Sequence, residues 1–315
     1  MINFTSGIIL ILIGAAICLI FATWSLNKKG MKLKGTILFP PMAFFLCVFM
    51  AHLFYCLMRF EYALYDMDTS YFRGFAFFHF WDGNYMLYGG AFGVILALII
   101  TSHLGNMKPL RAMDIVAPWG ALMIAFVRLG QGIDGQFYGL EIDEEAYSGV
   151  FAAMFDDYYE VWHWSLFIPA AVVALIVFVV LLQNKGKKDG DSVLLLSGSY
   201  ACTQIILETL RRDEVLRWGF VRCSQVISLF IAVFVLFCYW KRANKQKLAL
   251  RIISVSLFFI SILIAFIMEF AQEQRISSLL FLSSQNCYTI SAGCCAIMLL
   301  CIIIVRSIRL TQDTV

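Results

Sequence analysis

A succession of long apolar runs separated by short polar loops limits what this chain can become. About nine of these runs approach the 20 or so residues that, at 1.5 Å each, cross a hydrocarbon core about 30 Å thick. They cover Ser6 to Leu26, Thr36 to Met58, Asn84 to Ser102, Leu110 to Leu129, Val161 to Leu182, Ser192 to Glu208, Phe220 to Trp240, Leu250 to Phe270 and Cys287 to Val305. Lipid offers no partner to backbone N–H and C=O groups, so such runs must be helical. The predicted fold class is all-α, a polytopic transmembrane helix bundle. Composition agrees, with 61% hydrophobic and 14% charged residues in a chain of 315, far above the roughly 45–50% apolar content of soluble domains.

Charge placement supplies an orientation. The basic stretches "NKKGMKLKG", "GNMKPLR", "NKGKKDGD" and "KRANKQK", with Arg306 and Arg309, occupy alternate loops. The positive-inside rule makes those loops cytoplasmic, with the N-terminus outside and the C-terminus inside. The acidic, aromatic stretches "EIDEEAYSGVFAAMFDDYYE" and Arg59 to Asp82 then lie outside, and Trp24, Trp81, Trp162, Trp164, Trp218 and Trp240 fall near span ends, as interfacial tryptophans do. The first run lacks a basic leader and a cleavage pattern, so it reads as a retained helix. A net charge of +3 confined to loops argues against a nucleic-acid surface. Most of the ten cysteines sit inside apolar runs without metal-ligand spacing, and read as small buried hydrophobes.

Three polar patches interrupt this pattern. In "NYMLYGGAFGVILA", Gly89 and Gly93 form a small-x-x-x-small pair suited to close helix packing, and Tyr88 precedes them as a possible headgroup anchor. In "AFVRLGQGIDGQFYG", Arg128 stands near a span end. It either snorkels to the interface or faces a wet cavity, and the glycines and amides that follow favour the cavity. A planar guanidinium there suits phosphate oxygens. In "TQIILETLRRDEVLRWGF", Gln204, Glu208 and Arg211 share one helical face. The partner of Glu208 is either local, Arg211 or Arg212, or Arg128 in another helix. His79 and His163 read as interfacial packing residues, Arg211, Arg212 and Arg222 as hydrated surface charges, and His52 and His103 receive no role.

The order and spacing of these patches resemble the prolipoprotein diacylglyceryl transferase family of bacterial plasma membranes. "YGGAFGVILA" is similar to the family's His-Gly-Gly segment and "RLGQGIDGQFYG" to its Arg-Ile-Gly-Asn-x-x-Asn-Gly-Glu-x-x-Gly motif. "ILETLRRDE" and "RCSQVISL" resemble its Glu-Phe-x-Arg-x-x-Asp and Gly-Gln-x-x-Ser elements. The likeness runs from about Asn84 to Leu229. It implies a seven-span transferase-like core over residues 1–240, followed by an accessory two-helix hairpin and short tail over residues 241–315.

The resemblance implies transfer of diacylglycerol from phosphatidylglycerol to a lipobox cysteine thiol of a prolipoprotein, without cofactor or metal. It gives Tyr88, Arg128 and Glu208 catalytic positions and Gly89, Gly90, Gln131, Asp134, Gly135, Gln136, Gly139, Gln204 and Arg211 substrate-binding ones. The chain departs from the family pattern where Tyr88 replaces a histidine and Gln204 an arginine. Gln131 and Asp134 replace two asparagines, and Gln136 a glutamate. Two functions follow: a diverged lipid transferase, or a lipid-binding protein that keeps the scaffold without turnover. A transporter finds less support, because no matching pair of interrupted spans is visible.

Overall fold

The computed structural model describes residues 5–58, 85–142, 153–156, 160–184, 188–212, 217–218, 221–242, 247–272 and 284–310. Helices α1 (Ser6–Lys28), α2 (Leu33–Met58), α3 (Leu87–Leu104) and α4 (Pro109–Ile133) come first. Strands β1 (Tyr138–Ile142), β2 (Ala153–Asp156) and β3 (Val161–Ser165) follow, then α5 (Phe167–Gln183) and α6 (Asp191–Leu210). A two-strand ribbon, β4 (Arg217–Trp218) and β5 (Val221–Arg222), leads into α7 (Cys223–Arg242), α8 (Leu248–Gln272) and α9 (Ser284–Leu310).

Eight of these helices are long and apolar enough to cross a membrane. Their exposed surfaces carry large apolar side chains such as Ile13, Ile20, Phe45, Phe230, Phe234 and Leu263, which suit contact with lipid tails. The fifth sequence segment needs correction. Its start, "VWHWS", is strand β3, and the helix that follows has only 17 residues, about 25 Å at 1.5 Å per residue. Alternating bulky aromatics fit a pleated strand as well as a lipid-facing helix, so hydropathy alone merged the two. The all-α bundle expectation holds, with a small antiparallel sheet of order β1-β3-β2 between helices in the chain, in which Glu141 faces His163 and Met154 faces the same residue from the other side.

The chain forms two compact units. The first comprises Met1–Asp134, Ala174–Val193 and Glu214–Cys223. Within it α2 packs along α3 and α1 along α4. Small residues permit both approaches. A Cβ on Gly89 would run into the Met50 carbonyl, and one on Gly93 into that of Leu46. One on Gly7 would strike the Gly130 carbonyl. Close backbone contact of this kind replaces the hydrophobic drive that lipid removes. At the other end of the same helices Leu26, Phe39, Ala97, Leu98, Ala112 and Met113 form a buried cluster. Trp119 donates its indole N–H to Ser25 Oγ at 3.1 Å and stacks on Phe21. The Asp114 carboxylate accepts from the backbone N–H groups of Gly190 and Val193 at 2.6 and 3.0 Å, placing a negative group at the start of α6 where the helix dipole favours one.

The second unit comprises Gly135–Val173, Leu194–Asp213 and Ser224–Val315. Its core joins α6 and α7 to α8 and α9 through Ala201, Val235, Tyr239, Phe258, Met298 and Ile302. Three cysteines, Cys202, Cys295 and Cys301, are buried in the same cluster, as expected of small apolar fillers.

Gly93→Leu should break the α2–α3 contact, lowering stability by about 1–3 kcal/mol as overpacking does. Gly293→Ala on α9, where an added Cβ meets nothing within 4 Å, should be neutral or stabilise by a few tenths to about 1 kcal/mol. Thermal unfolding in detergent compares the two.

Candidate functional site

Arg128 lies on α4 five residues before the helix ends. Only 3% of its surface is exposed, so the snorkelling alternative does not hold. Its Nη1 donates to Gln131 Oε1 at 2.9 Å. The two residues are three apart on one helical face, so α-helical geometry alone brings them together. Gln131 thereby turns its carbonyl oxygen toward the cation and fixes the plane of the guanidinium.

Asp134 lies one turn further on, as the C-cap of α4. Its carboxylate serves a different helix from the one that carries it. Its Oδ2 accepts from Thr5 Oγ1 at 2.7 Å and its Oδ1 from Gly7 N at 2.9 Å. Thr5 is itself the N-cap of α1, accepting from Ile8 N at 3.3 Å. A carboxylate at the start of α1 satisfies donors that the helix leaves open and complements its dipole. Asp134 thus ties the beginning of α1 to the end of α4.

On α3, Tyr88 is half-buried, while Gly89 and Gly90 are buried against α2, where Gly90 lies near Cys47 Sγ. Close packing is the visible work of both glycines. His52, to which the sequence assigned nothing, is 1% exposed on α2. Its ring meets the edge of Tyr85 at 6.0 Å, and its Nε2 lies 3.5 Å from Cys56 Sγ. Met86 N donates to Ala51 O at 3.0 Å, which docks the start of α3 beside this histidine.

In the second unit Glu208 and Arg211 form a pair near the end of α6, with 3.4 Å between Glu208 Oε1 and Arg211 Nη1. Of the partners left open by the sequence, the local Arg211 makes the observed bond. That distance exceeds the roughly 2.7–2.9 Å of a tight charge-assisted pair. Glu208 is 1% exposed, and its Oε2 is buried without a hydrogen-bond partner among the described residues. Gln204 lies one turn earlier on the same helix, fully buried. The Arg211 guanidinium also covers the Phe137 ring at 4.7 Å. Phe137 is completely buried at φ 62°, an uncommon backbone region for a bulky residue. Gly135, at φ 71°, begins this turn, and Gln136 beside it is exposed. Gly139 is pressed against Trp164 and Leu166, which an added Cβ would approach to 3.2 Å. His163 Nδ1 donates to the Gly139 carbonyl at 3.2 Å; since a carbonyl only accepts, that nitrogen carries the proton.

The profile of the prolipoprotein diacylglyceryl transferase family spans residues 7–241. The chain belongs to that family. Among curated relatives, phosphatidylglycerol–prolipoprotein diacylglyceryl transferase of Streptococcus equi subsp. zooepidemicus is 27% identical over 75% of this chain and 90% of its own length. The enzymes of the same name from Streptococcus pyogenes and Streptococcus uberis are 24% identical, over 76% and 75% of this chain and 91% and 90% of theirs.

Arg211 and Arg222 are not the hydrated surface charges that their sequence setting suggests: the Arg211 side chain is 13% exposed and Arg222 5%. The burial of Arg211 escapes a sequence reading because it involves Phe137, far away in the chain, and not local hydropathy. Arg212 is exposed as expected. His79, Trp81 and most of the acidic external loops lie outside the described residues. Gln225, within the "RCSQVISL" motif, is buried and donates to Thr209 Oγ1 at 2.9 Å, beside Glu208.

Asp134→Ala should remove both acceptors at the start of α1 and lower stability by about 1 kcal/mol, the usual cost of losing a helix cap. Asp134→Asn, which keeps one acceptor oxygen, should lose less. Amide exchange at Gly7 and Ile8 reads the difference directly.

Proposed function

We propose that this family member is a diverged phosphatidylglycerol–prolipoprotein diacylglyceryl transferase. It moves diacylglycerol from an anionic phospholipid to the thiol of a lipobox cysteine at the outer face of a bacterial plasma membrane. Loop charges orient the N-terminus outward, and the relatives' names supply the two substrates. The carrying observation is Arg128, a buried cation held by Gln131 within the family's most specific motif.

The reaction makes a carbon–sulfur bond and breaks a carbon–oxygen bond. The acceptor thiol gives up its proton, its sulfur attacks the glycerol carbon bearing the phosphate, and glycerol phosphate departs. A free thiol with a pKa near 8.5 is mostly protonated at neutral pH, so a base accelerates the step. Glu208 takes that proton on its open Oε2, while the loose contact with Arg211 steadies the other oxygen. Arg128 binds the phosphate of the lipid and stabilises charge on the leaving group, where a preorganised donor contributes most. Gln131 orients the guanidinium, Gln204 offers an amide in place of the family's arginine, and Tyr88 orients the acceptor in place of its histidine. Residues 241–315 are an addition to the 1–240 transferase core.

Tyr88 and Gln204 also support the second reading, lipid binding without turnover, because a neutral phenol and amide replace a base and a cation. The assay separates the two. Purified protein with labelled phosphatidylglycerol and a lipobox peptide should yield diacylglyceryl peptide and glycerol phosphate. Arg128→Ala should reduce the rate about 10²–10³-fold, as loss of one transition-state donor does, and Glu208→Gln should do so comparably. Lipid binding without either product favours the non-catalytic reading.

A further inference from the structure

The family match ends at residue 241, yet the two helices that follow are joined to the end of α6. The Gln225 amide on α7 donates to both oxygens of Glu269 on α8, at 3.2 and 3.3 Å, as well as to Thr209 Oγ1 at 2.9 Å. Thr209 in turn donates to Ile205 O at 2.9 Å. A chain of polar groups therefore runs from the appended helix to the residue next to Glu208. A second contact comes from α9, where Tyr288 Oη accepts from Arg212 Nη2 at 2.8 Å. The Arg212 backbone N–H donates to Tyr138 O at 2.9 Å, so the end of α6 is held between β1 and α9.

The opposite end of the hairpin is also fastened. Arg251 stacks over Trp240 at 4.2 Å and donates to its carbonyl at 2.7 Å. Between these ends, Phe258, Met298, Ile302 and Val305 complete the apolar core of α6 and α7. Gly198 on α6 is pressed against Ile302 of α9 and Val235 of α7. A hairpin that served only as an anchor would need neither an acid near the end of an apolar helix nor a tyrosine directed at Arg212. Placing Glu269 in a span carries an insertion cost, which interhelical pairing offsets.

We infer that Glu269 and Tyr288 are positioning residues for the transferase site: they fix the last turn of α6 and, through it, Glu208 and Arg211. This inference rests on the transferase reading above for its catalytic consequence. The structural half stands on the contacts alone. Glu269 orients the Gln225 amide, Gln225 holds Thr209, and Tyr288 restrains Arg212. Loss of these restraints leaves Glu208 in place within the helix but frees the turn that carries it.

The test uses the full-length protein in detergent or nanodiscs, with Glu269→Leu, Glu269→Gln and Tyr288→Phe compared with wild type. Hydrogen exchange over residues 204–212 should quicken about tenfold in Glu269→Leu, with Glu269→Gln, which still offers one acceptor oxygen, close to wild type. Turnover of phosphatidylglycerol with the lipobox peptide should show kcat lowered about tenfold in Glu269→Leu and a severalfold effect in Tyr288→Phe, with KM for the peptide little changed. Unchanged exchange in both Glu269→Leu and Tyr288→Phe overturns the inference, as does faster exchange with kcat at the wild-type level. If Glu269→Leu does not fold, Tyr288→Phe decides by the same two readouts. A wild type that transfers nothing defeats the transferase reading, and exchange over 204–212 then decides the positioning claim by itself.

Discussion

A charged side chain inside a membrane-spanning helix must find its counter-interactions within the protein or in a ligand, and Arg128 is subject to this constraint. The insertion cost of such a residue is about 2.5–3.5 kcal/mol on biological scales. Here the guanidinium is almost wholly removed from solvent. Gln131 supplies one oriented acceptor. Under the proposed transferase reading, the planar guanidinium presents paired donors to two oxygens of a lipid phosphate.

Glu208 follows the same rule with the opposite sign. A carboxylate 1% exposed near the end of an apolar helix survives through Arg211, and the 3.4 Å separation leaves that partnership loose. Its second oxygen, Oε2, is buried without a hydrogen bond among the described residues. Arg211 is meanwhile kept over the Phe137 ring, so its position does not depend on Glu208 alone. The motif glycines serve these side chains indirectly: Gly135 permits the turn that delivers Phe137, and Gly139 lets β3 approach β1.

Much of the architecture is legible from hydropathy, because lipid demands continuous apolar helices and punishes exceptions. The failure at Val161–Ser165 has a physical cause, since an aromatic-rich stretch of five residues satisfies either geometry. Local pairs were equally readable: Arg128 with Gln131 and Glu208 with Arg211 follow from i, i+3 spacing. Long-range roles were not. Asp134 serves Thr5 and Gly7 from 127 to 129 residues away, and Gln225 meets Glu269 across 44 residues. Glu269 itself lies in an apolar span of the accessory hairpin, where the sequence marks no site residue. No local pattern marks such a partner, because its meaning comes from which helices pack.

The family's chemistry needs a held lipid before it needs a base, so the central claim concerns what occupies the Arg128 site. Native mass spectrometry of protein released gently from its membrane tests this most directly. The account predicts an anionic phospholipid retained by wild type and lost from Arg128→Lys in proportion to the lost bidentate geometry. Equal retention by wild type and Arg128→Lys, or retention of zwitterionic lipid alone, would contradict it.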